Sequence, residues 1–408
     1  MFGKWFQNIG PGPLVTAACI GPGTVTICTI AGAQFGFTLL WALGLSIIAT
    51  LVLQEMAARL GVVSGRGLSE IIKTEIRSPS LKILVIVLIL SAIVIGNTAY
   101  EAGNISGSIL GMETVFGDFR IDINGVTVNL YSIVIGLLAF LILNSGNTKF
   151  LERTLIFLVV LMSLAFFFTA IATQPDLKEV AKGLIIPTVT KTNILIVAGL
   201  IGTTVVPYNL FLHASLAKDK WRKASDLKFA KKDAFIAIVL GGLVSMGIII
   251  CASAIQNPTI ESAADLAKGL EPLFGGFSKY LIAIGLFAAG ITSAITAPLA
   301  AAYVASGCLG WPSNLKSRKF RLVWMLILII GVISSGLSLK SIEIIKFAQI
   351  ANGILLPLVA LFLIWAVNRK SLLGVYKNTS FQNVLGGVIL LITIFIGIKT
   401  LLKVFQII

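Results

Sequence analysis

The side chains best placed to do chemistry lie where an apolar chain should have none. In Asn97-Thr98-Ala99-Tyr100-Glu101-Ala102-Gly103-Asn104 a carboxyl interrupts a long apolar run, and Asn97, Glu101 and Asn104 recur at i, i+4 and i+7, one face of a helix. An ionisable group inside such a segment is a functional candidate by default. Glu101 reads as a protonatable carrier or as the carboxylate that faces a cationic substrate; the structural alternative is a carboxyl capped by neighbouring hydroxyls that fixes helix packing. His213 is the sole histidine. Titration near neutral pH suits it to proton transfer, and a histidine bonded to a neighbouring helix is the alternative. Cys19, Cys28, Cys251 and Cys308 fall in or beside apolar segments without CxxC spacing and read as small core residues. No arrangement of nucleophile, acid and base emerges, so neither an enzyme nor a cofactor is expected.

A second kind of candidate is backbone. Leu14 to Ile20 and Val25 to Ala33 both read as helix, with Gly21-Pro22-Gly23-Thr24 between them. Proline lacks an N–H and crowds the preceding turn, and each glycine carries an entropy cost in a helix. Unwound backbone at membrane depth is tolerated only where it is buried in protein or lines a cavity. The break therefore marks a binding site or a simple proline kink. A second break, Gly202-Thr203-Thr204-Val205-Val206-Pro207-Tyr208-Asn209, lies in a later apolar run.

The elements that position these residues follow from composition. The chain has 408 residues, 57% hydrophobic and 12% charged, with a mean hydropathy of +0.99. A soluble domain carries about 25% charged residues. An all-α polytopic membrane protein is expected. Eleven apolar segments are long enough to span, approximately 13–35, 37–60, 82–110, 127–145, 151–173, 193–217, 231–255, 277–307, 320–338, 342–367 and 381–402. The first is too long for a signal peptide and has no small-residue cleavage site after it.

The net charge of +15 sits in short loops between these segments, which argues topology rather than nucleic-acid binding. Starting with the N-terminus in the cytoplasm places most basic residues inside, including the clusters from Lys218 to Lys232 and from Lys316 to Arg321. The C-terminus then lies outside, the protein sits in the cell's inner (plasma) membrane, and the expected partners are the lipid bilayer and a transported solute or cation with protons, not nucleic acid. Spans one and six are both interrupted near mid-membrane. Five plus five spans with breaks in corresponding positions is the pattern of a secondary transporter built from inverted repeats. The repeats would be residues 1–175 and 176–370, with residues 371–408 forming an accessory eleventh helix.

Several stretches together resemble the Nramp family of divalent-metal transporters: Gly10-Pro11-Gly12, Ile20-Gly21-Pro22-Gly23-Thr24, Ala31-Gly32-Ala33-Gln34-Phe35-Gly36, and Ala57 through Arg66. Val206-Pro207-Tyr208-Asn209-Leu210-Phe211-Leu212-His213, Ala288 through Ala294, and Gln349-Ile350-Ala351-Asn352-Gly353 resemble that family's sixth, eighth and tenth helices. The resemblance implies a LeuT-type fold and proton-coupled import of transition-metal ions by alternating access. It places Glu101 near an acidic position of the proton route, His213 at a second histidine on the proton-linked side, and Gln349 and Asn352 where the site closes.

The departures fall in the site. The family's first-helix Asp-Pro-Gly-Asn is here Gly21-Pro22-Gly23-Thr24, and its sixth-helix Met-Pro-His-Asn is Val206-Pro207-Tyr208-Asn209. The Asp, Asn and Met side chains that hold the metal in the family are all replaced. Gly21 offers a carbonyl, Thr24 a hydroxyl and Val206 a carbonyl. Soft thioether ligation favours transition metals, and a dehydrated divalent ion needs negative ligands. Loss of the Asp side chain is also expected to enlarge the pocket. High-affinity Mn²⁺ or Fe²⁺ transport is therefore not expected, and no metal ligand set is assigned. The readings are a transporter of unassigned substrate at Gly21, Thr24, Val206, Tyr208, Asn209, Gln349 and Asn352, with proton coupling through Glu101 and His213; a divalent-cation importer using carbonyl and hydroxyl ligands; a transporter of a small organic solute or another ion; and a non-transporting membrane sensor.

Overall fold

The computed structural model describes residues 10–255, Ala267, Glu271, 275–337 and 341–404. Helices dominate. In order they are α1 (Gly12–Cys19), α2 (Pro22–Phe35), α3 (Leu40–Ser64), α4 (Leu68–Glu75), α5 (Pro79–Phe116), α6 (Leu130–Asn144), α7 (Thr148–Ala172), α8 (Leu177–Ile185) and α9 (Ile194–Thr204). There follow α10 (Pro207–Lys220), α11 (Leu227–Ala252), α12 (Ser278–Leu309), α13 (Arg318–Gly336), α14 (Ser341–Val367), α15 (Lys370–Leu373) and α16 (Ser380–Val404).

Among the described residues, 8 helices are long and apolar enough to cross a membrane, and up to 10 spans result if each bent pair counts as one. Leu130–Asn144 is a shorter apolar helix beside these. The expected eleven crossings are not reached by length and composition alone. α5 shows why boundaries drift. It has 38 residues where the apolar pattern marks 82–110, because Pro79 starts it early and Gly117, at φ 77, ends it late.

The fourth segment begins later than expected, at Leu130 rather than 127. The residues before it form a two-stranded antiparallel hairpin, β1 (Arg120–Ile123) and β2 (Val126–Asn129). The turn is Asn124-Gly125, with φ 54 and φ 82, the pair of positive values that a two-residue hairpin turn requires. Among the described residues this hairpin is the sole strand pairing in an otherwise helical fold, in keeping with the all-α expectation.

Packing follows the rule for helices in lipid, where small residues let backbones approach. On α5, Gly103, Gly107 and Gly111 repeat at four-residue spacing. A Cβ on Gly103 would lie 3.3 Å from the Ala348 Cβ of α14, one on Gly107 would collide with Pro22 of α2, and one on Gly111 would meet the Ala283 carbonyl of α12 at 2.8 Å. α12 answers with Gly290, where a Cβ would collide with Ser108 of α5. α2 and α12 are buried along most of their length, whereas Leu137, Leu141, Phe157, Leu164, Phe381 and Phe395 on α6, α7 and α16 face outward, as lipid-facing side chains do.

Candidate functional site

Both breaks are present. α1 stops at Cys19, Ile20 leaves the helical region at φ -112 and ψ 75, and Gly21 is extended at φ -97 and ψ -179. Pro22 then opens α2 at the position where its missing N–H costs nothing. The path bends by 50°. The second break repeats the device. Val205 and Val206 are non-helical, and Pro207 opens α10. Here Ile194–Lys220 still runs as one span rather than a sharply bent pair.

The two breaks interlock. Thr24 Oγ1 lies 2.6 Å from Thr203 Oγ1 of α9 and donates to the Cys19 carbonyl at 2.9 Å. Asn209 Nδ2 reaches back across the break to the Val15 carbonyl and the Cys19 sulfur, both at 3.2 Å. Its Oδ1 is buried without a hydrogen-bond partner. The residues from Ile20 to Thr24 and from Gly202 to Asn209 are all buried, so the breaks are closed to water in this state. The Val206 side chain is apolar, and its carbonyl accepts the Asn209 N–H at 3.1 Å. Tyr208 packs its ring edge-on against Tyr100, centroids 5.5 Å apart, with its hydroxyl facing Thr296.

The expected enlargement at Gly21 is not found. A Cβ on Gly21 would lie 2.6 Å from Ser293 Oγ, 3.3 Å from Ser293 Cβ and 3.6 Å from Asn104 Oδ1. The hydroxyl of α12 occupies the space that a side chain at position 21 would use, with the amide of α5 in contact beside it. Ser293 Oγ also donates to the Ala17 carbonyl at 3.4 Å.

The polar face of α5 fans out to three neighbours instead of lining one wall. Asn97 Nδ2 donates to the Ala297 carbonyl on α12 at 2.8 Å. Glu101 is fully buried and packs on Gly331 of α13, where a Cβ would collide with it. Its Oε2 accepts from Asn104 Nδ2 at 3.4 Å, and its Oε1 has no hydrogen-bond partner. Asn104 thus links the buried carboxyl to the edge of the first break. His213 lies elsewhere, on α10, with Nδ1 2.7 Å from Gln54 Oε1 of α3 and Nε2 unpartnered. No described hydrogen bond joins it to Glu101. Gln349 and Asn352 lie on α14, and their side chains fall outside the described residues.

Thr203, Ser293, Cys19 and Gln54 contact the site residues without having been singled out from sequence. The hydroxyls of Thr203 and Ser293 sit inside the quoted motifs, so the residue types were visible while their partners were not. Cys19 had been read as core filler; its sulfur lies at the break. Among the described residues no group of three or more His, Cys, Asp or Glu could hold a metal ion. The sequence model for Nramp, the natural resistance-associated macrophage protein-like family, matches residues 12–403.

The chain belongs to the Nramp family. Members of this family are transporters, not enzymes, and are multi-pass membrane proteins. The divalent metal cation transporter MntH of Staphylococcus haemolyticus is 26% identical over 430 residues, covering 99% of this chain and 93% of that one. MntH of Yersinia pestis is 27% identical over 395 residues, covering 95% and 92%. Among solved structures, the Eremococcus coleocola manganese transporter in complex with an aromatic bis-isothiourea compound superposes with a TM-score of 0.80 at 23% identity, covering 98% of this chain and 87% of that chain. MhsT in complex with L-phenylalanine gives 0.61 at 14% identity, covering 95% and 98%. The fold is the LeuT type expected from the resemblance.

Proposed function

We propose that this Nramp-family chain is a secondary transporter that moves a small, hard cation by alternating access through a site at the paired breaks. The observation that carries the reading is the closure of one break on the other through Thr24 and Thr203, with Asn209 bridging back to α1. Two interrupted helices joined by polar side chains, with backbone that has left the helical ladder, are the ingredients of a midplane site. The relatives named divalent metal cation transporters favour a cation. The donors at the breaks are hydroxyl, amide and carbonyl oxygens, which suit hard cations; only the Cys19 sulfur is soft, and no carboxylate or thioether reaches the breaks. Because Ser293 fills the space beside Gly21, the bulkier organic solute loses its support.

Gly21, Thr24, Val206, Tyr208 and Asn209 form the site in this reading, and the resemblance adds Gln349 and Asn352 of α14. Glu101, one amide away from the break, supplies the negative charge and carries the proton that accompanies the cation, and His213, paired with Gln54, is a second proton-carrying group. The N-terminus and the basic loops face the cytoplasm. The test is uptake by proteoliposomes with Mg²⁺ and Mn²⁺ in parallel, alongside calorimetry. Uptake of Mg²⁺ with weak or no Mn²⁺ binding is expected. Sub-millimolar Mn²⁺ affinity with competent Mn²⁺ uptake overturns the assignment, and no uptake of any cation would favour a sensor.

A further inference from the structure

α1 is only eight residues long, is cut off from α2 by the break, and begins at Gly10-Pro11-Gly12. Its start is held by one side chain. Asp233, in the second turn of α11, accepts the Gly10 N–H on Oδ1 at 3.0 Å and the Gly12 N–H on Oδ2 at 2.7 Å. A carboxylate on the free N–H groups of a helix start makes charge-assisted hydrogen bonds and complements the helix dipole. Both glycines are required by this clasp. A Cβ on Gly12 would lie 2.9 Å from the Asp233 carboxylate carbon and from both its oxygens. One on Gly10 would lie 2.7 Å from Asp233 Oδ2 and collide with the Trp221 ring. Trp221 ends α10, the half-helix that follows the second break. The two half-helices that meet at the site therefore meet again here, at the molecule's basic face.

Further along, α1 rests on α11 through an apolar patch of Val15 and Cys19 against Ala234 and Ile238, and through Thr16 Oγ1 donating to the Ala237 carbonyl at 3.1 Å. Among the described residues Asp233 is thus the single charged tie on a short element whose far end carries the Cys19 carbonyl that receives Thr24.

We propose that Asp233 and Trp221 are positioning residues that latch α1 shut, and that release of the latch opens the site toward the basic face. This rests on the transport reading, but its test does not need transport. With Cys28, Cys251 and Cys308 replaced by alanine, Cys19 is the sole thiol, buried at the break in the closed state. Its alkylation by a membrane-impermeant maleimide is followed in vesicles of known orientation. Asp233→Asn should raise the Cys19 rate about tenfold, the factor for loss of one charge-assisted bond, and only with reagent on the basic side. Gly12→Ala should do the same by pushing the carboxylate away, although alanine is otherwise the better helix residue. A parallel protein keeping only Cys28, on α2 beyond the break, should not change. An unchanged Cys19 rate in both variants, a rise from the opposite face, or an equal rise at Cys28 overturns the latch. A failure of cation uptake with the Cys19 pattern intact overturns the substrate reading alone.

Discussion

Gly21 stands where the resemblance to the family places a carboxylate, and the structure gives its replacement a calculable cost. Alanine there strains no dihedral, since φ -97 and ψ -179 suit any residue. The cost is contact. The new methyl would lie 2.6 Å from Ser293 Oγ, so the hydroxyl must rotate away and give up its 3.4 Å bond to the Ala17 carbonyl. The remaining 3.3 Å approach to Ser293 Cβ is tighter than ordinary packing. One weak buried hydrogen bond and a mild overpacking together come to about 1–2 kcal/mol. Ser293→Gly removes both causes. In a double-mutant cycle read by thermal stability in detergent, Gly21→Ala should destabilise the parent and be close to neutral in the Ser293→Gly background, a coupling of about 1 kcal/mol or more. The same contact predicts a functional asymmetry. Gly21→Asp should raise Mn²⁺ affinity by calorimetry markedly more with Ser293→Gly than alone. If Gly21→Ala costs the same in both backgrounds, the two residues do not compete for one space and the reasoning fails.

Glu101→Gln should abolish proton-driven uptake while the protein still folds, because Oε2 can keep its Asn104 partner as an amide oxygen; proton-driven uptake that persists in this variant removes Glu101 from the coupling route. Gln54→Leu strands His213, which then has a buried ring without its described partner, and should destabilise by about 1–3 kcal/mol in a thermal-stability assay. Arg59 is buried and donates to the Tyr376 carbonyl and to Asn378 Oδ1, each at 2.7 Å, and to Glu55 Oε2 at 3.1 Å. Arg59→Ala should therefore cost about 3 kcal/mol and free the segment around Tyr376 to protease, and Arg59→Lys should recover only part of that, since one ammonium cannot hold three partners in the same fork.

What could be read from sequence divides by physical cause. Pro22 and Pro207 are legible as breaks because Pro22 is flanked by Gly21 and Gly23 and Pro207 follows Val205 and Val206, and both open new helices; Pro298 and Pro357, without such neighbours, continue inside helices. The hairpin before α6 is written in Asn124-Gly125 between alternating Ile121 and Ile123 and alternating Val126 and Val128, a four-residue signal that a hydropathy window averages away. Span ends drifted because hydropathy averages over a window, whereas caps such as Gly117 act at one residue. The partners in the site could not be read at all. Ser293 meets Ala17 across 276 residues and Thr24 meets Thr203 across 179, and periodicity states which face a residue occupies but not which helix faces it. The enlarged pocket expected at Gly21 failed for this reason. Loss of a side chain makes room only if nothing else moves in, and close-packed interiors rarely leave such room empty.

The motion and the ligand are written in different residues. Prolines at 22 and 207 open new helices, glycines at 10 and 12 admit the Asp233 carboxylate, and the extended Gly21 leaves α1 as a short separate unit. Side chains at 24, 206, 208 and 293 decide what the joined breaks present. A change in the second set alters the donors without disturbing the first, because the hydrogen bonds that close the breaks use hydroxyl and amide groups that neutral-oxygen ligation can also use. Thr24 shows the consequence. Its hydroxyl is spent on Cys19 and Thr203 in the closed state, so a cation that takes Thr24 as a ligand must loosen the bond that ties the two breaks together. In this reading binding at the site and opening of the helices are coupled through Thr24, beside the second bridge that Asn209 makes to α1. Thr24→Val should uncouple them, leaving a chain in which Cys19 accessibility no longer responds to the transported cation.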